Sequence, residues 1–171
     1  MSKALIVIDI QNDYLTHGQF PLWNAEAVSH KVEHAIAKAK AEHAHIILVQ
    51  HVANPANGVS PFFNQNTEGV QIYSRILAVA PDAPIVIKQQ ADSFNGTNLE
   101  DLLAERGVTE LVVCGMMTQN CVTHTAISKS AEKYDVTILA DCCTTVSEML
   151  HQIALHALAP RVSLVQSDEA W

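Results

Sequence analysis

The amino-acid sequence predicts a three-layer α/β/α fold built on a six-stranded parallel sheet, and three observations support this prediction. Six short apolar runs occur along the chain, with little of the polar alternation that marks half-buried strands. Such runs are typical of strands that are covered on both faces, as in a parallel sheet. Stretches with helix-like spacing of apolar residues separate most of these runs, which indicates repeated βα units. Charged or nucleophilic residues follow three of the runs, at the edge where parallel sheets bind ligands.

The composition indicates one domain over residues 1–171, because 49% of the residues are hydrophobic and can fill a core. The net charge is −8 with no lysine or arginine cluster, so neither nucleic acid nor an anionic membrane is an expected partner. No apolar run approaches the roughly 20 residues that cross a bilayer, and residues 4–8 are too short for a signal peptide. We therefore expect a cytoplasmic protein with four reduced cysteines, which lack C-x-x-C spacing.

The first predicted strand, residues 4–10, contains Asp9 near its carboxyl end. Aspartate is unfavourable within a strand, so a compensating partner is expected, although capping of the following turn is the ordinary alternative. A polar and aromatic loop follows. We expect this loop either to line a substrate pocket or to pack on the surface, and its candidate binding residues are Gln11, Tyr14, Phe20 and Trp23.

Residues 24–43 carry a helical apolar stripe, with Asn24 as the expected N-cap. The second strand, residues 45–52, contains His51 near its end. No Asp-x-His pattern occurs there, so we interpret His51 as a pocket or packing residue and not as a metal ligand. The 54–69 segment that follows is too long for a plain connector and includes Phe62 and Phe63. It is predicted to be an active-site lid or an oligomer contact, with a surface loop as the alternative.

The third strand, residues 83–88, ends in Lys88. Most lysines are solvated, but a lysine at the end of an apolar run is unusual. A short helix over residues 99–106 and a strand over residues 110–114 follow, and the strand leads into the sequence V-V-C-G-M-M-T-Q-N-C-V-T-H-T-A. Further helices are predicted over residues 122–133 and 147–157, and further strands over residues 136–140 and 162–165.

The arrangement around Cys121 is a strand, a turn at Gly115 and a cysteine at the start of a helix. The positive end of a helix would favour the thiolate, and its free N–H groups could stabilise an oxyanion. A buried structural cysteine is the alternative. The adjacent Cys142 and Cys143 also permit a redox interpretation, but strand-end packing explains them more simply.

Asp9, Lys88 and Cys121 are therefore expected at one edge of the sheet. A carboxylate there can accept the thiol proton, and an ammonium can hold both anionic groups in place. A catalytic trio is the more economical interpretation, because the alternatives require a cap, a surface amine and a core thiol to coincide.

The motifs I-V-I-D-I-Q-N-D-Y and G-M-M-T-Q-N-C-V-T-H-T-A, with the strand that ends in Lys88, resemble those of isochorismatase-like cysteine hydrolases. This superfamily includes nicotinamidases, N-carbamoylsarcosine amidohydrolases and ureidoacrylate amidohydrolases. The resemblance implies the strand order 3-2-1-4-5-6, an Asp9–Lys88–Cys121 triad and a cis peptide between Met116 and Met117. It also implies an oxyanion hole from the Met117 and Cys121 N–H groups, with Thr118 as a substrate-binding candidate.

The sequence also departs from its relatives. Gln50-His51-Val52 stands where nicotinamidases carry an Asp-x-His metal motif, so we expect no metal and no cofactor. Because isochorismatases proper can lack the cysteine, Cys121 favours cleavage of a C–N bond in a small amide, ureide or carbamoyl compound. A vinyl ether hydrolase and a non-catalytic binding protein remain alternatives. The resemblance and the phenylalanines of the 54–69 segment favour a homo-oligomer.

Overall fold

The computed structural model describes residues 1–171, and a six-stranded sheet lies at its centre. The strands are β1 (Lys3–Ile8), β2 (His45–His51), β3 (Ile85–Lys88), β4 (Glu110–Met116), β5 (Asp135–Thr144) and β6 (Ser163–Val165). They lie in the order β3-β2-β1-β4-β5-β6, and each neighbouring pair is parallel. Both the predicted fold class and the strand order are confirmed.

Helices connect the strands. They are α1 (Ala25–Ala41), α2 (Ser74–Val79), α3 (Leu99–Glu105), α4 (Thr123–Ala126) and α5 (Glu148–Leu158). The apolar stripe of α1 is buried against the sheet at Val28, Val32, Ile36 and Ala39. No helix is both long enough and apolar enough to cross a membrane.

β1 occupies the centre of the sheet, which explains its unbroken apolar run. Its residues from Ala4 to Ile8 are at most 2% exposed, because strands cover both edges and helices cover both faces. Gly115 on the neighbouring strand β4 is in register with Ile8 and has φ +128°. A Cβ atom there would lie 2.1 Å from the Ile8 carbonyl oxygen, so only glycine allows β4 to approach β1 this closely.

Several predicted element details are wrong. Asn24 occupies the N-cap position of α1 as expected, but it has φ +56° and its side chain makes no capping hydrogen bond. The predicted helix over residues 122–133 is broken into a π-helix (Thr118–Val122), α4 and a 3-10 turn (Lys129–Ala131). Ser128 causes the second break, because its extended backbone ends α4 and its hydroxyl caps the new turn.

β5 is longer than predicted and contains both Cys142 and Cys143. Successive side chains of a strand point to opposite faces of the sheet, so these two thiols cannot approach one another. All four cysteines are buried and reduced. Packing within the strand therefore explains the adjacent pair.

Candidate active site

Asp9, Lys88 and Cys121 meet at the carboxyl edge of the sheet. Asp9 directly follows β1, Lys88 ends β3, and Cys121 lies in the π-helix after β4. The Lys88 Nζ lies 3.0 Å from Asp9 Oδ2 and donates a hydrogen bond of 3.1 Å to Cys121 Sγ. The exposed fractions are 0% for Asp9, 1% for Lys88 and 2% for Cys121. The three predicted residues thus form one buried cluster.

The Lys88 ammonium has two further contacts, a hydrogen bond of 3.0 Å to the Gln90 carbonyl oxygen and a contact of 2.8 Å with His51 Nδ1. An ammonium can only donate, so His51 Nδ1 accepts and the ring is neutral with its proton on Nε2. Burial alone would lower the pKa of Lys88. The charge of the Asp9 carboxylate opposes this effect, and the pKa of Lys88 is raised overall. Lys88 is therefore a fixed cation.

The pKa of the Cys121 thiol is raised well above its ordinary value, first by burial and then by the Asp9 carboxylate. Lys88 opposes this shift but does not overcome it. The expectation that the start of a helix would favour the thiolate is therefore wrong for the closed site. The local helix is a single π turn, and desolvation outweighs its dipole. The raised pKa favours the thiol form of Cys121 in this state.

Asp9 is placed to accept the thiol proton. Both carboxylate oxygens are inaccessible to solvent, and neither has a partner with hydrogen-bond geometry, although Oδ2 is ion-paired with Lys88. A buried carboxylate with unused acceptor capacity is costly unless a proton or ligand completes it. Asp9 also has φ +53°, a backbone conformation that is unusual for a residue with a side chain.

The same residues could be considered for a metal, because Asp9, His51 and Cys121 present ligand atoms within 4.8 Å of one another. However, the Lys88 Nζ lies within 3.1 Å of all three side chains and takes the position of a cation among them. The neighbouring Gln50 carries no carboxylate, and its Nε2 donates to the Val70 carbonyl oxygen. These residues do not fit a metal site while Lys88 is charged.

The loop that precedes Cys121 offers a donor to the site. The peptide between Met116 and Met117 is cis, at the bond that the resemblance indicated. The Met117 carbonyl oxygen accepts from the N–H groups of Asn120 and Val122, at 3.0 and 3.3 Å. The Met117 N–H itself has no partner within the protein. It is therefore free to bind a ligand oxygen.

Comparison with known proteins agrees with this geometry, since residues 3–170 match the family model of the isochorismatase domain. The chain belongs to the isochorismatase family. It is 32% identical over 181 residues to the uncharacterised isochorismatase family protein YddQ of Bacillus subtilis, covering 100% of this chain and 99% of that protein. It is 25% identical over 165 residues to an Arabidopsis thaliana protein named a probable inactive nicotinamidase, covering 88% of this chain and 84% of that protein.

Comparison with a solved structure also shows that this isochorismatase-family chain shares its fold with an amidase. The pyrazinamidase of Pyrococcus horikoshii, solved in complex with zinc, matches it with a TM-score of 0.86 at 26% identity. The match covers 97% of this chain and 99% of the pyrazinamidase. The chain thus has an isochorismatase-family hydrolase fold with amidase-type relatives, and one relative carries a name that denotes an inactive protein.

Two residues predicted to bind substrate, Gln11 and Thr118, make hydrogen bonds to other groups of the same chain. Gln11 is completely buried, and its side-chain amide donates to the His51 and Val70 carbonyl oxygens and accepts from the His51 N–H. Thr118 is also buried, with its hydroxyl 2.8 Å from His151 Nδ1. Substrate binding by Gln11 and Thr118 stays a prediction, and the structure adds that both polar groups already have internal partners.

The aromatic candidates lie in different places. Tyr14 is buried near the triad, and burial first, then Asp9 and Cys121, raise the pKa of its phenol. Phe20 packs on Phe62, with ring centroids 4.9 Å apart. Trp23 packs near His151, at 6.2 Å between centroids, and is 37% exposed. The structure therefore places Tyr14 near the buried cluster of Asp9, Lys88 and Cys121, and Trp23 towards α5.

Sequence reasoning missed a role for Asp13, which is 3% exposed and accepts hydrogen bonds from the backbone of two other residues. Its Oδ2 accepts a hydrogen bond of 2.7 Å from the Phe63 N–H, and its Oδ1 accepts one of 3.1 Å from the Gln19 N–H. No local pattern identifies such a partner, because Phe63 lies 50 residues away in sequence. The only signal was the presence of a second aspartate in the loop after Asp9.

Proposed function

We propose that this isochorismatase-family chain is a cysteine-dependent hydrolase that cleaves a C–N bond in a small, neutral amide-type substrate. The observation that carries the proposal is the contact set around Cys121. Lys88 donates to the thiol sulfur, and the Asp9 carboxylate beside it has unused acceptor capacity. A nucleophile, a proton acceptor and a fixed cation together are the parts that acyl transfer through a thioester needs.

In the proposed mechanism, Asp9 takes the thiol proton as Cys121 Sγ attacks the substrate carbonyl carbon. The carbonyl oxygen becomes an oxyanion, which the free Met117 N–H and the Cys121 N–H stabilise; one such donor is typically worth about 3–4 kcal/mol. The C–N bond then breaks, and Asp9 returns the proton to the leaving nitrogen. Water, activated by Asp9, attacks the thioester, and release of the acid regenerates the thiol.

Charge favours a neutral substrate. Lys88 is the only cationic side chain in contact with Cys121, and its ammonium already faces four protein groups. The three arginines are elsewhere: Arg75 pairs with Glu33, Arg106 donates to the Leu102 carbonyl oxygen, and Arg161 follows α5. A substrate carboxylate would therefore lack a partner at the site. This disfavours vinyl ethers and ureides that carry carboxylates.

A non-catalytic role is the second candidate, and one observation favours it. The triad is closed to solvent, so no ligand can reach Cys121 without movement of the protein. The two candidates differ in what happens after the site opens. Only the hydrolase forms a covalent intermediate and releases product.

An ammonia-release screen over neutral primary amides, with carboxylate-bearing ureides as a comparison set, tests the proposal. We expect turnover of at least one neutral amide and no change after dialysis against a strong chelator. Ligand binding to the wild-type chain without any release of ammonia or amine would favour the non-catalytic candidate. Activity that returned only on addition of a metal would contradict the proposed role of Lys88 as the cation of the site.

A further inference from the structure

Phe63 is a buried side chain next to the residues that surround the candidate active site. This residue lies within the 54–69 segment but is only 1% exposed. Its ring centroid is 4.5 Å from that of Tyr14 and 5.9 Å from that of His51. His51 contacts Lys88, and Tyr14 lies close enough to Asp9 and Cys121 for their charges to affect it. Phe63 therefore packs on two residues that border the triad.

Both the backbone N–H and the backbone carbonyl oxygen of Phe63 make hydrogen bonds. Its N–H donates to Asp13 Oδ2 at 2.7 Å, and its carbonyl oxygen accepts from the Ala53 N–H at 2.9 Å. Its φ is +61°, in the left-handed region that a phenylalanine seldom adopts. An unfavourable conformation persists only where surrounding contacts enforce it. The hydrogen bond that the Phe63 N–H donates to Asp13 is one such contact.

Asp13 also holds the end of the same segment. Its N–H donates to the Gly69 carbonyl oxygen at 2.9 Å, and Gly69 packs so closely that a Cβ atom there would lie 2.0 Å from Asp13 Oδ1. The carboxylate has no basic partner and is held by backbone N–H groups alone. Hydrogen bonds to an ionised acceptor are stronger than neutral ones, so this carboxylate is an effective anchor for the segment.

The 54–69 segment is the part of the enclosure best able to move. Its residues from Pro55 to Val59 are exposed, and Val59 is 94% exposed. The segment contains no strand and only one 3-10 turn, Pro55–Asn57. The other walls are the ends of β1, β2 and β3, the π-helix and the 3-10 turn Asn12–Tyr14, which belong to the sheet or follow its strands closely in sequence. Low local packing is typical of regions that open first.

We propose that Phe63 controls access to Cys121 and that Asp13 is the positioning residue that holds Phe63 closed. Opening breaks the Asp13–Phe63 hydrogen bond, moves the 54–69 segment away from the triad and admits the substrate. The size of the Phe63 side chain then limits the acyl group that the closed site accepts. The substrate part of this inference rests on the proposed hydrolase function, whereas access to Cys121 does not.

Alkylation by iodoacetamide, followed by mass spectrometry of each cysteine, tests the inference without any substrate. Wild-type Cys121 should react slowly, because only the open fraction exposes it. Asp13→Asn keeps the volume of the side chain but replaces the charged acceptor of the Phe63 N–H with a neutral one. A hydrogen bond to a charged group contributes about 1.5–3 kcal/mol, so the open fraction should increase and Cys121 should react about ten to a hundred times faster. Phe63→Gly removes the ring and accommodates the positive φ, and should produce a similar increase.

A matched control is Asp141→Asn. The Asp141 carboxylate also accepts from a distant backbone N–H, that of Ser167 at 2.8 Å, but it lies on β5 away from Phe63. This variant should leave Cys121 alkylation unchanged. Cys114, Cys142 and Cys143 report on general loosening, because all three are buried elsewhere in β4 and β5. Their rates should stay at wild-type values in Asp13→Asn and Phe63→Gly; in Asp141→Asn only Cys121 is compared, because Asp141 acts on the pKa of the other three thiols.

Two results would overturn the inference. The first is wild-type Cys121 reactivity in both Asp13→Asn and Phe63→Gly, and the second is an equal increase at all four cysteines. If Asp13→Asn does not fold, Phe63→Gly alone decides between these results. Faster Cys121 alkylation in a chain that hydrolyses no amide would support the gate and contradict the proposed function. Where a substrate is found, Phe63→Gly should raise kcat/KM for bulkier amides relative to smaller ones.

Discussion

Lys88 is the residue on which the electrostatics of the site depend. Its ammonium lies within 3.1 Å of Asp9 Oδ2, Cys121 Sγ and His51 Nδ1. A buried carboxylate without this cation would be uncompensated. A surface lysine could be replaced without consequence, so substitution at this position distinguishes a catalytic group from a solvated one.

Lys88→Met should abolish turnover and reduce the free energy of unfolding by about 3–5 kcal/mol, as expected when one member of a buried ion pair is removed. The pKa of Cys121 should rise further, because Lys88 is a charge that lowers it. The alkylation–pH profile of Cys121, measured in the Phe63→Gly background to allow access, should shift to higher pH. An unshifted profile with normal turnover would show that Lys88 is not part of the site.

His51 gives the site a second pH dependence. Burial first, and then the positive charge of Lys88, lower the pKa of its imidazole, while Asp9 opposes the change. The unfolded chain therefore binds a proton at His51 more readily than the folded chain does. The contribution of neutral His51 to the free energy of unfolding is complete at pH values above the ordinary histidine pKa of about 6.5. It is lost as the pH falls through the lowered pKa of the folded chain.

The free energy of unfolding should therefore decrease between pH 7 and pH 5, which urea titrations at several pH values would measure. His51→Asn should flatten this decrease, because an asparagine oxygen can accept from Lys88 without titrating. His151 contributes in the same direction, since burial also lowers its pKa, so the flattening should be partial. A pH dependence that is identical in the variant would exclude His51 as its source.

At the scale of elements, the junction between β4 and the π-helix places the nucleophile. Gly115 lies against Ile8 of β1, and the chain then turns through residues 116–117 to present Cys121 beside Asp9. This close contact links the position of the nucleophile to the central strand. The junction should therefore be intolerant of even one additional carbon atom.

Gly115→Ala should reduce the free energy of unfolding by roughly 3 kcal/mol or more, because the Cβ atom meets the Ile8 carbonyl oxygen and φ is +128°. Gly107→Ala is the matched control. Gly107 also has a positive φ, +60°, but its Cβ would meet open space, so the cost should be about 1–2 kcal/mol. Equal losses in the two variants, measured by thermal or urea unfolding, would contradict the importance of the β1–β4 contact.

The elements show where sequence patterns succeed and fail. The strands were predictable because β1 and β2 are buried on both faces, so their apolar runs are unbroken. The edge position of Asp9, Lys88 and Cys121 followed from the topology of parallel sheets. The π-helix at Thr118–Val122 was not predictable, because its polar residues are satisfied by tertiary partners such as His151. The same reason hid the contact between Asp13 and Phe63.

At the scale of the whole molecule, the homo-oligomer stays a prediction. The structure indicates a different contact surface for it from the one that the sequence suggested. Phe63 faces inward and Phe62 packs on Tyr14 and Phe20, so these rings do not form the expected contact. The exposed apolar side chains on and next to α5 are Val146, Met149 and Ile153, with exposed fractions of 45%, 74% and 58%. These three side chains form an exposed apolar surface, with Glu148 as its charged neighbour, and such a surface favours self-association there.

Multi-angle light scattering should therefore detect a species larger than the 18.6 kDa monomer at micromolar concentration. Ile153→Glu should shift it towards the monomer, because a carboxylate in an apolar contact is costly to desolvate. Val59→Glu, at an exposed apolar residue outside α5, is the control and should not change the mass. A monomeric wild-type chain would contradict the prediction directly.

The most direct test of the whole mechanism is detection of the thioester on Cys121. A neutral amide that the chain hydrolyses should be mixed with the enzyme, quenched in acid and examined by intact-protein and peptide mass spectrometry. We expect an adduct of the acyl mass on the Cys121 peptide and none in Cys121→Ser, whose turnover should fall by about a thousandfold or more while the fold is retained. Hydrolysis at a rate near that of the wild type in Cys121→Ser would contradict covalent catalysis by this cysteine.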